Sequence, residues 1–299
     1  MTKRLKIGVG TIWDNGRFHM RDTHQLQLHA HNGIVRAGHD STLLFGWPGR
    51  SEIKKYDPHT QTWSPLEDVN EFDLIMSWGF NDGYQHLHDN YLVGELGYFA
   101  DRYDWVSLSW NGLNNYGDFC NDDVPADRWQ EHFVSQMSDW KEPGQGKYIL
   151  LAGQVPGDQN LQGLDMEPIY QRWVYEIQDK YGLPVRWRKH PLSQSRFVPK
   201  DAEVSDTEDV MEDILGAEAV CMFNSNTSVD AIMNGIPAIC HDSGTMAWDV
   251  CTQGFTDLQR PDRTAWGTKM GYTQWHVSEL DSGKPFKHIL QKFTGTTNG

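Results

Sequence analysis

Short apolar runs alternate with longer polar stretches through most of the chain, and the alternation predicts where strands and helices lie. Leu5 to Gly10 is a short apolar run closed by glycine and reads as a strand. The polar stretch from Asp22 to Ala37 sets Leu26, His29 and Val35 toward one side before Gly38, which predicts a helix, and Ser41 to Phe45 reads as the next strand. Strand, helix, strand is how a βαβ unit begins. Residues 47–70 are rich in Trp, Pro, Asp and Lys without a period, and read as loops or a short excursion. Leu74 to Trp78 and Tyr91 to Val93 read as third and fourth strands. From Asn121 to Lys147 the chain is polar, with one helical patch at Trp129, Phe133 and Met137, and ends in Lys141-Glu142-Pro143-Gly144-Gln145-Gly146, where a domain boundary is expected.

The pattern is clearer beyond that point. Tyr148 to Ala152 reads as a buried strand, and Met166 to Lys180 as a helix with Ile169, Trp173 and Ile177 at i, i+4 and i+8, closed by Gly182 and Pro184. Val185 to Arg188 is the next strand. Thr207 to Leu215 puts Val210 and Ile214 on one helical face before Gly216, and Ala219 to Phe223 is again apolar. A short helix follows Asn224-Ser225-Asn226-Thr227-Ser228, stops at Gly235, and leads into the strand Pro237 to Cys240. Repeated β and α segments of these lengths predict an α/β fold with a parallel, doubly wound sheet.

Composition narrows the function classes. The chain has 299 residues, with hydrophobic residues at 38% and charged residues at 22%, so it can bury a core and is far from disordered. Lys+Arg number 26 against 41 Asp+Glu, and the net charge of −15 argues against coating nucleic acid, which needs many cations on phosphates. No apolar run approaches the ~20 residues of a membrane span, and Met-Thr-Lys-Arg-Leu-Lys-Ile-Gly-Val-Gly lacks the apolar core of a signal peptide, so a soluble, cytoplasmic protein is expected. Cys120, Cys221, Cys240 and Cys251 show no C-x-x-C spacing. Cys221 and Cys240 fall inside the apolar runs, which reads as reduced core thiols.

Ligands of open α/β sheets bind at the carboxyl ends of strands, and three such loops carry polar clusters. Asn224, Ser225, Asn226, Thr227 and Ser228 open a helix, where backbone N–H groups, the helix dipole and hydroxyls suit a phosphate; the plain alternative is an ordinary N-cap. Arg188, Lys189, His190 and Pro191 project cations and an imidazole from a strand end, or form a solvated basic turn. Gly153, Gln154, Val155, Pro156, Gly157 and Asp158 hold a carboxylate in a shaped loop, as a nucleophile, a base or a turn residue. In the first half, Glu95 stands between glycines in an apolar setting, where a desolvated carboxyl would be suited to acid or base work. His29-x-His31 and His86-x-His88 would share a strand face but lack further metal ligands. Gly8-Val9-Gly10 lacks the rest of G-x-G-x-x-G, and there is no P-loop or G-x-S-x-G elbow.

Taken in order, Glu95-Leu96-Gly97-Tyr98-Phe99 with Asn111-Gly112-Leu113-Asn114, Gln154-Val155-Pro156 with Asp158, His190-Pro191, Asn224-Ser225 with Asp230-Ala231 and Gly235-Ile236-Pro237, and Tyr272-Thr273-Gln274-Trp275 with Glu279-Leu280 resemble the capsule polysaccharide transferases, relatives of bacterial Kdo transferases on the GT-B plan. The chain is short for that family, its first 90 residues match little, and it departs from the pattern around Asp158 and Asn226-Thr227-Ser228. The resemblance implies two Rossmann-type doubly wound domains facing a cleft: residues 1–140 on the acceptor side and residues 147–299 on the donor side, with the last helix crossing back. It further implies transfer of a sugar from a CMP- or UDP-linked donor to a hydroxyl, without a metal or other cofactor. Gln154, Arg188, His190 and Asn224 to Ser228 would hold the donor, Glu95 would be the base and Asp158 the nucleophile of a retaining double displacement. The acceptor would be a saccharide or a hydroxymethylated base in viral DNA, the latter served by a basic groove of Arg186, Arg188, Lys189, Arg196 and Lys200. A nucleotide-sugar-binding protein without turnover and a nucleotide-sugar epimerase are the alternatives.

Overall fold

The computed structural model describes residues 3–11, 22–46, 51–79 and 84–294. The chain divides into two compact units, Met1–Val124 with Tyr272–Gly299, and Pro125–Gly271. The division therefore falls at Val124 and not in the segment Lys141 to Gly146, and the whole stretch from Tyr272 onward, rather than one last helix, returns to the first unit.

The first unit starts with β1 (Lys6–Thr11), α1 (Asp22–Arg36) and β2 (Asp40–Phe45), the expected βαβ. The buried stripe of α1 runs through Gln27, Ala30 and Ile34, at i, i+3 and i+7, whereas Val35 is 50% exposed, so the helix is rotated from the expected His29 and Val35 side. His29 and His31 therefore sit on a helix, not on a strand face. Within the range read as loop, residues 51–70, β3 (Lys54–Asp57) and β4 (Thr62–Pro65) form an antiparallel hairpin beside β2; residues 47–50 lie outside the described residues. β5 (Leu74–Trp78) and β6 (Tyr91–Leu96) continue the parallel centre, and β7 (Trp105–Trp110) joins β6 antiparallel. His86 lies in a short 3-10 turn, and the His88 ring contacts the carbonyls of Phe72 and Asn90, so that pair shares no strand face either.

The second unit opens with α2 (Asp127–His132), which buries Trp129. Its sheet is formed by β8 (Ile149–Ala152), β9 (Val185–Arg188), β10 (Glu203–Val204), β11 (Ala219–Met222), β12 (Ala238–Cys240) and β13 (Thr252–Gln253), all parallel, in the order β10-β9-β8-β11-β12-β13. Every residue of β8, β11 and β12 is buried, as expected of parallel strands covered on both faces. α3 (Met166–Tyr181) connects β8 to β9. Asp165 caps its start by accepting the Glu167 N–H, and Gly182, at φ 65, ends it in the left-handed conformation that costs glycine least. Its buried face is Met166, Tyr170, Trp173, Val174 and Ile177, passing through Tyr170 rather than Ile169. α4 (Val210–Gly216) precedes β11, α5 (Thr227–Met233) precedes β12, and α6 (Thr264–Met270) follows β13.

The chain then re-enters the first unit as β14 (Gln274–His276), α7 (Val277–Ser282), α8 (Lys284–Ile289) and α9 (Gln291–Thr294). β14 pairs antiparallel with β7 and completes an eight-stranded sheet, β14-β7-β6-β5-β1-β2-β3-β4. Trp275, Phe286, Ile289 and Leu290 enter the same core as Ile7, Val9, Ile34 and Leu92. All four cysteines are free, with Cys120 half-buried and the other three buried. Among the described residues, no helix is long and apolar enough to cross a membrane.

Candidate active site

The second sheet has a switch point. From β8 the chain winds outward through β9 to β10, then returns to lay β11 on the other side of β8. The helices that follow β8 and β11 leave in opposite directions, so a crevice opens at the carboxyl ends of these two strands. Their loops are those of Gln154 and Asn224, and the two side chains tie them together: Gln154 Nε2 donates to Asn224 Oδ1 at 2.9 Å, and the Asn224 N–H donates to Gln154 Oε1 at 3.1 Å. Asn224, only 2% exposed, also donates through Nδ2 to the Asn160 carbonyl and to Asp242 Oδ1, both at 2.8 Å. One buried amide thus links the loops after β8, β11 and β12.

The β8 loop carries Asp158, half-buried at the start of a 3-10 turn, where its Oδ1 accepts the Asn160 N–H at 2.8 Å. The turn-residue reading of this aspartate is therefore satisfied, and its position at the crevice is added to it. On the far side of β8 stands His190, at the end of β9. Its Nδ1 accepts the Leu192 N–H at 3.1 Å, so the neutral ring carries its proton on Nε2 and presents a donor. Burial lowers the His190 pKa and the nearby Asp158 charge opposes that, with burial prevailing, so the ring is neutral at pH 7. His190 and Ser225 stand at the same sheet edge with β8 between them, two strand spacings or roughly 10 Å of sheet apart.

Between the β8 loop, the start of α3 and the chain after β9 lies a pocket of about 280 Å³. Tyr170, Trp187 and Phe197 give it aromatic surface, and Glu167, Lys189, His190, Ser193 and Ser195 give it polar groups. Gly153 borders it because the Trp187 ring presses against the backbone there: an added Cβ would lie 2.6 Å from a ring carbon. The Tyr170 hydroxyl accepts the Gln154 N–H at 2.9 Å, joining the pocket floor to the loop tie.

Several expected residues are held elsewhere. Arg188 Nη1 pairs with Asp213 at 2.6 Å and also meets Ser205 and Thr207, while Nη2 donates to the Glu208 carbonyl, so its guanidinium is engaged on the α4 side of the sheet. Arg186 joins the same buried carboxylate and lies over the Tyr148 ring at 3.9 Å. Ser228 is fully buried and bonded to Thr245 Oγ1 at 2.7 Å. Ser225 Oγ contacts Thr227 Oγ1 at 3.0 Å and accepts the Thr227 N–H at 3.3 Å in a local turn, and the residue at the N-cap of α5 is Asn226, which makes no side-chain cap bond, so the expected ordinary N-cap by Ser225 or Thr227 is not what forms. Glu95 belongs to the first unit, at the carboxyl end of β6. It is half-buried, not fully desolvated, and its Oε1 accepts the Leu96 N–H at 2.8 Å. Trp187, Glu167 and Asp242 escaped the sequence reading; Asp242 follows β12 and was reachable by the same strand-end rule. Among the described residues, no group of three or more His, Cys, Asp or Glu side chains is placed to hold a metal ion.

No protein-family model matches the chain, and no curated protein matches its sequence. Two solved structures from Thermosulfurimonas dismutans KpsC are similar to it. The beta Kdo 2,7 transferase aligns with a TM-score of 0.52 at 12% identity, covering 96% of this chain and 99% of that one. The beta Kdo 2,4 transferase gives 0.53 at 10% identity, covering 92% and 98%. At such identities the likeness is one of architecture: the chain has the GT-B fold, two Rossmann-like α/β units, in the form found in the KpsC Kdo transferases.

Proposed function

We propose that the protein is a glycosyltransferase that moves a sugar from a nucleotide-linked donor to a hydroxyl of a saccharide. The observation that carries this reading is the switch-point crevice, where the Gln154–Asn224 tie brings the Asp158 loop against the loop of Ser225 and next to His190. The His190 Nε2–H and the β11 loop receive the donor phosphate, whose charge grows as the glycosidic bond breaks. The Asp158 carboxylate attacks the anomeric carbon and the nucleotide leaves. The acceptor hydroxyl then displaces Asp158, with its proton passing to the phosphate of the departing nucleotide, so that configuration is retained. A saccharide is favoured over DNA because Arg186 and Arg188, two of the five cations of the expected basic groove, are paired with Asp213.

The test is mass spectrometry of reactions offering UDP- and CMP-linked sugars to oligosaccharides and to hydroxymethylated DNA. A sugar adduct is expected on an oligosaccharide, with Asp158→Ala lowering turnover by about three orders of magnitude and His190→Ala weakening nucleotide binding about tenfold. Release of an altered free sugar without an acceptor, or wild-type turnover in Asp158→Ala, would refute the proposal.

A further inference from the structure

We propose that the first unit carries a second binding site, for a small phosphate monoester, in the notch where the β3–β4 hairpin leaves the edge of β2. The site shares no residue with the crevice and stands independently of the transferase reading. It lies at the amino ends of β1 and β2, the opposite end of these parallel strands from Glu95 on β6.

The notch follows from the strand pairing. β2 begins at Asp40, but β3 meets it only across Leu44 and Phe45, so no strand covers the outer edge from Asp40 to Thr42. The Asp40 N–H turns inward to the Leu5 carbonyl, and by alternation the Ser41 N–H turns outward to that open edge. Three residues are too few for a peptide to add a strand, whereas a small ligand can fill the gap. A pocket of about 520 Å³ occupies it, within the roughly 300–1,000 Å³ typical of small-molecule sites. Leu43, Tyr56 and Phe72 give it apolar surface for a carbon skeleton, and Pro58 and His59 of the hairpin turn stand in its wall.

The polar lining has donors to spare. His39 is 7% exposed, and its Nδ1 accepts the Leu5 N–H at 3.3 Å. Burial, then the Arg4 charge, lowers its pKa against the opposing charge of Asp40, so the ring is neutral at pH 7 with its proton on Nε2. That Nε2–H has no acceptor among the described residues yet stays accessible, so a nearly buried imidazole offers a free donor to the pocket. Lys6 is the Cα partner of Asp40 across β1 and β2. Asp73 nearby is taken by the Lys3 ammonium at 2.7 Å and the Lys6 N–H at 2.8 Å, and the Lys6 ammonium bonds to no carboxylate among the described residues. The exposed His59 ring makes no hydrogen bond among them either, while His31 is engaged through Nδ1 with Ser41 Oγ at 2.8 Å.

The charges decide the ligand class. Both carboxylates of the lining are already matched, Asp40 by Arg4 at 2.5 Å and Glu71 by Lys55 at 2.8 and 2.9 Å. What remains is one ammonium and two imidazoles, a local surplus of donors in a chain of net charge −15. Such a surplus suits an oxyanion. A phosphate monoester brings up to two charges and three acceptor oxygens, against one charge and two oxygens for a carboxylate, so three separate donors favour phosphate.

The experiment is calorimetric titration at pH 7 with glucose 6-phosphate and phenyl phosphate, each beside a counterpart without phosphate, glucose and benzoate. At least one monoester should bind with a Kd below about 1 mM and at least about tenfold more tightly than its counterpart. Lys6→Met removes the ammonium and keeps the N–H that serves Asp73. His39→Asn keeps an acceptor for the Leu5 N–H and removes the Nε2–H. Each should weaken the monoester about tenfold, whereas His190→Ala, at the crevice, should leave its affinity unchanged. Lys6 is exposed, so Lys6→Met decides the matter even where His39→Asn fails to fold. Failure of both monoesters to bind, benzoate binding as tightly as phenyl phosphate, or wild-type affinity in Lys6→Met or in folded His39→Asn would overturn the inference. Weakening by His190→Ala alone would put the monoester in the crevice, overturning this site and leaving the transferase reading intact.

Discussion

His241 supplies the most direct test of how burial is arranged in the second unit. It follows β12, and its ring stacks on Trp173 of α3 at 3.9 Å and 22°, with Phe255 at 4.5 Å on a tilted approach. Its Nε2 is buried without a hydrogen-bond partner among the described residues. Burial, assisted by the charge of Arg172, lowers its pKa from 6.5 to about 4. The native state therefore holds this ring neutral over a range of pH in which the unfolded chain protonates it. The stability it contributes is complete above pH 6.5 and is lost progressively as pH falls to about 4. At about 1.36 kcal/mol per pH unit, the window is worth up to about 3 kcal/mol. His241→Phe keeps an aromatic ring in the stack and removes the titration. Urea unfolding of both proteins at half-unit steps from pH 7.5 to pH 4 measures the difference, because carboxylates elsewhere titrate equally in both and cancel. The wild type should lose about 2–3 kcal/mol more than the variant across that range. Parallel stability profiles would refute the reasoning, as would an NMR titration placing the His241 ring near 6.5.

Two further substitutions probe the polar interior. Asp213 is 0% exposed and joins Arg186, Arg188, Ser205 and Thr207; burial pushes its carboxyl pKa up, and these hydrogen bonds together bring it below the ordinary value. Asp213→Ala strands two guanidinium groups and should cost about 3–5 kcal/mol in denaturant unfolding, so a loss under about 1 kcal/mol would contradict the pairing. Asn224→Ala removes the amide shared by three loops and should cost about 1–3 kcal/mol of stability, with nucleotide affinity falling alongside. Full nucleotide affinity in a folded Asn224→Ala protein would show that the crevice holds its shape without the tie.

The second sheet was legible because its central strands are unbroken apolar runs, such as Ile149 to Ala152 and Ala219 to Met222, separated by capped helices. β7 escaped notice because Ser107 and Ser109 are polar yet buried, the latter through a bond from its hydroxyl to the Gly112 carbonyl. β3 and β4 sit at a sheet edge with no fully buried residue, so neither shows a hydrophobic period. At the site, strand-end logic found the loops of Gln154, His190 and Asn224. It could not foresee what Arg188 and Ser228 would bond, since Asp213 and Thr245 lie 25 and 17 residues further along the chain. A residue's type fixes its chemistry, but only the topology decides whether that chemistry faces a ligand or a neighbour.

The return of Tyr272 onward to the first unit gives synthesis a timetable. The stretch Pro125–Gly271 is continuous and can close its core as soon as it has emerged from the ribosome, whereas the earlier unit still lacks Trp275, Phe286, Ile289 and Leu290, and the outer edge of β7 waits for β14. At about 5–20 residues per second, that exposed edge persists for roughly 10–30 seconds on every nascent chain. During this interval an unpaired, mostly apolar strand is open to neighbouring polypeptides, so the part of the molecule made first is the part most in need of a chaperone.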